Sequence, residues 1–149
     1  MLTVSSSELK NRVGQPLGES QPHTITQDQV NEFADATGDH QWLHVDVQRA
    51  KQGPYHGTIA HGFLTLSLLP ALMDECVRVT DAKAMVNYGL NKLRFPAPVP
   101  VGSTVRGTLT LNSCTEAHGG LELGIGLDIR VEGAEKPAAV GESVFLIYS

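Results

Sequence analysis

The chain has 149 residues, of which 41% are hydrophobic and 18% charged, with 15 glycines and 8 prolines. Such a length suits one domain, since domains cluster at roughly 100–150 residues, and the composition is that of a globular chain rather than a disordered or fibrous one. The formal net charge is −5, from 16 acidic and 11 basic residues with no basic block. That argues against a nucleic-acid face, which needs clustered Lys and Arg to neutralise phosphates.

Residues 1–15 hold no apolar core of signal-peptide length, and the most apolar run, Phe63 to Met73, is far shorter than the ~20 residues of a spanning helix. The expectation is a cytoplasmic protein with no membrane insertion. Cys76 and Cys114 share no metal-type spacing and read as free thiols of a reducing compartment. The whole of residues 1–149 reads as a single domain.

Residues 1–25 are polar and punctuated by Gly14, Pro16, Gly18 and Pro22, which predicts a partly ordered leader with one short helix around Ser7 to Arg12. Thr26 followed by Gln29 has the form of a capping box, Val30, Phe33, Ala34 and Thr37 recur at helical spacing, and Gly38 supplies a stop. Asp46 is placed to cap a second helix through Lys51, ended by Gly53 and Pro54. The segment between the two helices, Gly38 to His44, is predicted to be a turn or loop.

Ala60 to Met73 is apolar nearly all round, as expected of a buried helix, with a kink or early break at Pro70. Val86, Tyr88 and Leu90 then alternate with Asn87, Gly89 and Asn91. Leu93 to Phe95 lead into a rigid turn over Pro96 to Gly102. Three further strands are predicted over about Thr104 to Thr115, Leu121 to Glu132 and Ala139 to Tyr148. Helices first and consecutive strands afterwards indicate an α+β fold, with the buried helix against one face of a curved antiparallel sheet.

Chemistry gathers in one place. His40, His44, His56 and His61 fall within 22 residues, with Asp39 and Asp46 among them. Each has an ordinary structural reading: Asp39 as a turn residue, His44 as a loop imidazole, Gly62 as a point of close packing. A metal reading rests on His40 and His44 four residues apart with Asp46 near, but no Glu stands where a zinc-protease base would and no Cys is close, so no metal is assigned.

An acid–base reading needs a carboxylate, an imidazole and a donor aimed at a carbonyl oxygen. Asp39 and His44 lie close enough in sequence to hold one water, and Gly62 opens the buried helix, where free N–H groups face outward and no side chain blocks approach. These are the parts for adding water to a polarised carbon–carbon double bond.

The string Gly38-Asp39-His40-Gln41-Trp42-Leu43-His44-Val45-Asp46, followed by Ile59-Ala60-His61-Gly62-Phe63, resembles the hydratase motif of the MaoC-like (R)-specific enoyl-CoA hydratases. Asn87-Tyr88-Gly89 and Arg94-Phe95-Pro96-Ala97-Pro98-Val99 resemble the single-domain, nodulation-protein-N-like branch, so that the likeness runs from about Ile25 to the C-terminus. The resemblance implies a hot-dog fold, in which a long antiparallel sheet wraps a central helix, and a homodimer with an acyl tunnel near the interface. It implies Asp39 and His44 as the catalytic pair and the Gly62 amide as oxyanion donor. Gly38 and Gln41 would support the loop. The typical motif has Asn-Pro where this chain has Gln41-Trp42, and Trp42 adds bulk beside the expected tunnel.

The expected reaction is hydration of a trans-2-enoyl-CoA to the (R)-3-hydroxyacyl-CoA. Asp39 and neutral His44 would hold the water, one of them, Asp39 by preference, taking its proton; no cofactor is called for. Lys92 and Arg94, two apart on a predicted strand and so on one face, are candidates for the CoA phosphates. Alternatives on the same fold are an acyl-CoA thioesterase, a 3-hydroxyacyl dehydratase acting on acyl carrier protein, and a non-catalytic acyl-CoA-binding module.

Overall fold

The computed structural model describes residues 1–149, and they build one six-stranded sheet with helices packed on it and a small two-stranded sheet beside it. Strands β1 (Leu2–Val4), β2 (Pro16–Glu19), β3 (His23–Thr24) and β4 (Val77–Val79) are short. The long strands are β5 (Ala84–Arg94), β6 (Thr104–Ala117), β7 (Gly120–Val131) and β8 (Ala139–Tyr148). In the main sheet the order is β2-β6-β7-β8-β5, with β3 also on β6, while β1 and β4 pair in parallel. All pairings of the main sheet are antiparallel, as short connections between consecutive strands allow.

The helices are α1 (Ser6–Leu9), α2 (Gln27–Thr37), α3 (Trp42–Val45), α4 (Val47–Lys51), α5 (Gly62–Ser67) and α6 (Leu69–Cys76). The predicted caps are in place, although at Thr26 only half of the capping box forms, since the Gln29 side chain does not return a bond to the Thr26 N–H. Thr26 Oγ1 accepts the Gln29 N–H at 3.2 Å, Gly38 ends α2 in the left-handed conformation at φ 82°, and Asp46 Oδ1 accepts the Arg49 N–H at 3.0 Å. The apolar run breaks between α5 and α6 at Leu68, and Pro70 occupies the first turn of α6, where its missing N–H has no intrahelical acceptor to lose.

Helix α6 approaches β6 so closely that a Cβ on Gly107 would lie 2.8 Å from Leu72 Cδ1. One face of the α5–α6 pair is thereby buried, through Leu64, Thr65, Leu69, Leu72, Met73 and Cys76. Its other face is not: Phe63 is 67% exposed, and Pro70 and Ala71 are exposed as well.

Two expectations need correction. Residues 1–25 are not a partly ordered leader. The expected helix is there, as α1 followed by a 3-10 turn at Lys10–Arg12, but β1, β2 and β3 flank it, and Val4, Leu9, Leu17 and Ile25 bury their side chains in the main core. Apolar side chains spaced singly among polar ones anchored the segment without giving a periodic signal. The second correction is α3, a single helical turn inside the stretch expected to be all loop.

Candidate active site

The site is assembled where α2, α3 and the start of α5 meet. Gly38 turns the chain at the end of α2, its N–H donating to the Ala34 carbonyl at 2.8 Å, and Asp39 follows. The Asp39 N–H reaches Thr37 Oγ1 at 3.4 Å, and Asp39 Oδ1 accepts the Gln41 backbone N–H at 3.4 Å. Loop support from Gln41 thus comes through its backbone; its side chain makes no hydrogen bond.

His44 sits on α3 and is 8% exposed. Its Nδ1 donates to the Ile59 carbonyl at 2.7 Å, and the Ile59 N–H returns a bond to the Leu43 carbonyl at 3.0 Å. A carbonyl partner assigns the proton to Nδ1 and leaves Nε2 as the nitrogen with a lone pair when the ring is neutral. Gln27, at the start of α2, ties the arrangement together: its Nε2 donates to the His44 carbonyl at 2.8 Å, and its Oε1 accepts the Thr58 hydroxyl at 2.6 Å.

His61 precedes α5 and is 2% exposed. Its Nε2 donates to the Asp39 backbone carbonyl at 2.9 Å, and its ring stacks on that of His44 with centroids 3.9 Å apart. Asp39, His44 and His61 each bring one donor atom to within 4.8 Å of the others. These are the residues that could hold a metal ion, although one nitrogen of each imidazole is already bonded to a carbonyl. Asp39 is exposed while both rings are buried.

A cavity of about 250 Å³ adjoins His44, with His44, Gly62, Thr65, Tyr55, Phe95 and Val99 in its wall and neither Asp39 nor His61 among its lining residues. Gly62 is the first residue of α5, so its N–H has no partner within the helix. Packing also requires glycine there, because a Cβ would lie 2.8 Å from the Phe95 ring.

The other sequence candidates go elsewhere. His40 turns outward, and its Nε2 contacts Asp35 at 3.0 Å, a hydrogen bond that raises its pKa above the usual imidazole value. His56 is exposed in a tight turn at φ 59°, and Asp46 is used as a cap. The suggested His40, His44 and Asp46 metal set therefore does not form. Trp42 lies under the Arg49 guanidinium, 4.4 Å from its ring centroid, and against Gly53, so its bulk packs on α4 and not into the cavity wall.

Lys92 adopts φ 51° at a register shift between Asn91 and Arg94. The bulge removes the strict alternation from which a shared face with Arg94 was inferred. Both remain exposed and outside any ion pair.

Sequence reasoning missed His61, Gln27 and Thr58 as parts of the site. His61 was within the motif and the histidine cluster, but its bond to Asp39 spans 22 residues and depends on how α5 docks.

The MaoC like domain family matches residues 8–128. The chain is 51% identical over 141 residues to 3-hydroxyacyl-thioester dehydratase Z of Mycobacterium tuberculosis, covering 94% of this chain and 93% of the relative. It is 45% identical over 116 residues to Nodulation protein N of Rhizobium leguminosarum bv. viciae, covering 76% of this chain and 72% of that one. Among solved structures, an unliganded R-hydratase of Pseudomonas aeruginosa superposes with a TM-score of 0.77 over 96% of this chain and 84% of that one, at 23% identity. That likeness speaks to the fold, and the expected hot-dog architecture is the one the chain has. With the family matched over most of its length and a relative at 51% identity along nearly all of it, the chain belongs to the MaoC-like dehydratases.

Proposed function

We propose that this protein is an (R)-specific enoyl-CoA hydratase, adding water reversibly to a trans-2-enoyl-CoA to give the (R)-3-hydroxyacyl-CoA. The observation that carries this reading is the convergence of the Asp39 carboxylate with the His44 and His61 imidazoles inside 4.8 Å, beside a cavity walled by His44 and Gly62. The dehydratase name of the 51% identical relative describes the same chemistry run backwards, and a catalyst accelerates both directions.

In the forward direction, Asp39 and His44 Nε2 hold the water. Its oxygen bonds to the β carbon, its proton passes to Asp39, and the alkene electrons move onto the thioester oxygen as an enolate. The Gly62 N–H donates to that oxygen as charge develops on it. The proton held by the pair then goes to the α carbon, so that one water is added and the protein is restored. The thioester polarises the alkene, and no redox cofactor enters the step.

Lys92 and Arg94 do not share a strict strand face, and what supports them as partners of the CoA phosphates is that both are exposed cations outside any ion pair; a second copy of the chain is assigned to the open edge of the sheet at β5. The test is a spectrophotometric assay on enoyl-CoAs of graded chain length, with product chirality determined and crotonyl-CoA compared with crotonyl-pantetheine and with the crotonyl thioester of an acyl carrier protein. The expected result is loss of the conjugated thioester absorbance without thiol release, an (R) product and a lower KM for the CoA form. Free thiol would mean a thioesterase, preference for an acyl carrier protein would move the assignment to the dehydratase alternative, and tight binding without turnover would leave an acyl-CoA-binding module.

A further inference from the structure

We infer that His61 is a positioning residue for this chemistry, acting through both members of the proposed pair while touching neither water nor substrate; the inference rests on the hydratase reading above. Its Nε2 is engaged by the Asp39 carbonyl and its Nδ1 is buried, so neither ring nitrogen faces the cavity. It meets each reacting group by a different contact. Nε2 donates to the Asp39 carbonyl at 2.9 Å and holds the backbone that carries the carboxylate. The ring lies 3.9 Å from that of His44 with 25° between their planes, which limits how His44 can turn about its bond to Ile59. Its own backbone leads directly into Gly62, and its carbonyl accepts the Thr65 N–H at 3.2 Å in the first turn of α5.

The chemistry of the ring argues that an imidazole is present for its donor. With Nε2 donating, Nδ1 is an acceptor, and it is buried with no hydrogen-bond partner. A buried acceptor left unpaired is destabilising, and a phenyl or isobutyl group would fill the space beside Phe33, whose ring is 4.8 Å away, without that penalty. What such a group would lack is the N–H to Asp39. One side chain thus sets the separation of carboxylate, imidazole and oxyanion donor, and a misplacement of about 1 Å can cost about 10²-fold in rate.

The test compares His61→Phe, which keeps an aromatic ring and drops the donor, with His61→Gln, which keeps an N–H donor and drops the ring. Hydration of crotonyl-CoA and thermal unfolding are measured for each. The expected result is a kcat about 10–100-fold lower for His61→Phe with KM changed less than about twofold, and partial recovery of kcat in His61→Gln, because displaced reacting groups affect the transition state more than binding. Parental kcat in His61→Phe would overturn the inference. So would equal losses in both variants that follow their Tm, since packing alone predicts that pattern. A parent chain that hydrates no enoyl thioester would sink the hydratase reading and this inference with it, whereas an active parent with an indifferent His61 sinks only the latter.

Discussion

At the scale of single residues, the two members of the proposed pair differ in how much else depends on them. Asp39 is exposed and its carboxylate accepts only the Gln41 N–H, so Asp39→Asn should lose about 10²–10⁴-fold in hydration rate with little change in Tm. His44 is buried, and removing its ring strands the Ile59 carbonyl, at a cost of about 1–3 kcal/mol. His44→Ala should therefore lose a similar factor in rate and also melt lower, by about 2–4 °C per kcal/mol at this chain length. Steady-state kinetics with calorimetry checks both, and a double variant should be little slower than the slower single one, because groups acting as a unit are not additive. Either variant hydrating crotonyl-CoA at the parental rate would remove that residue from the mechanism. Asp39 and His44 were legible because their spacing, and the Gly38 stop before them, are local. The stack of His61 on His44 was not, since no periodicity in one segment records which ring of another lies on top of it.

At the scale of elements, the legible parts were those with local causes. Caps at Thr26 and Asp46 and the three long strands after Gly102 fall close to their predicted places, because turn chemistry and alternation act over a few residues. One-turn α3 escaped because four residues cannot display a 3.6-residue period. A side-chain bridge across the sheet was equally invisible. Glu142 on β8 accepts from Asn91 Nδ2 on β5 at 2.8 Å and from Asn112 Nδ2 on β6 at 2.7 Å, reaching the latter over β7. Gly124 and Gly126 leave the room: a Cβ on Gly126 would be 2.9 Å from the Asn112 amide, and one on Gly124 would be 3.0 Å from the Glu142 carboxyl carbon. The bonds from Asn112, then Asn91, hold the Glu142 carboxyl below its ordinary value. A depressed carboxylate stabilises the fold above the unfolded-state pKa, about 4.3, and that contribution disappears as pH falls through the folded-state value. Glu142→Gln should therefore lower Tm near pH 7, with the difference from the parent closing in acid. Gly126→Ala should mimic it by displacing Asn112, and parallel Tm curves for parent and Glu142→Gln across that range would refute the bridge.

At the scale of the molecule, β5 sets the most consequential condition. The alternation of Val86, Tyr88 and Leu90 with polar neighbours reads as a strand with one buried face, yet every residue from Ala84 to Lys92 is exposed. Tyr88 is 55% exposed on a strand hydrogen-bonded to β8 along one side only. An open edge of 11 residues with apolar side chains is a ready template for another strand. Beside it lies an apolar hollow of about 460 Å³ between β5 and the outward face of α5–α6, lined by Phe63, Leu66, Leu69, Pro70, Tyr88 and Leu90. The sequence pattern therefore describes burial that one chain cannot provide. A second copy related by a two-fold axis would pair β5 with β5, continue the sheet and close that hollow through the same patch on both chains, as an isologous interface does. The parent should sediment at twice 16.0 kDa. Tyr88→Glu combined with Leu90→Glu places like charges at the proposed seam and should give folded monomers, with circular dichroism unchanged and hydration reduced if the partner completes the acyl path. A parent that stays monomeric at micromolar concentration, or a charged variant that remains dimeric, would mean that β5 is covered in some other way.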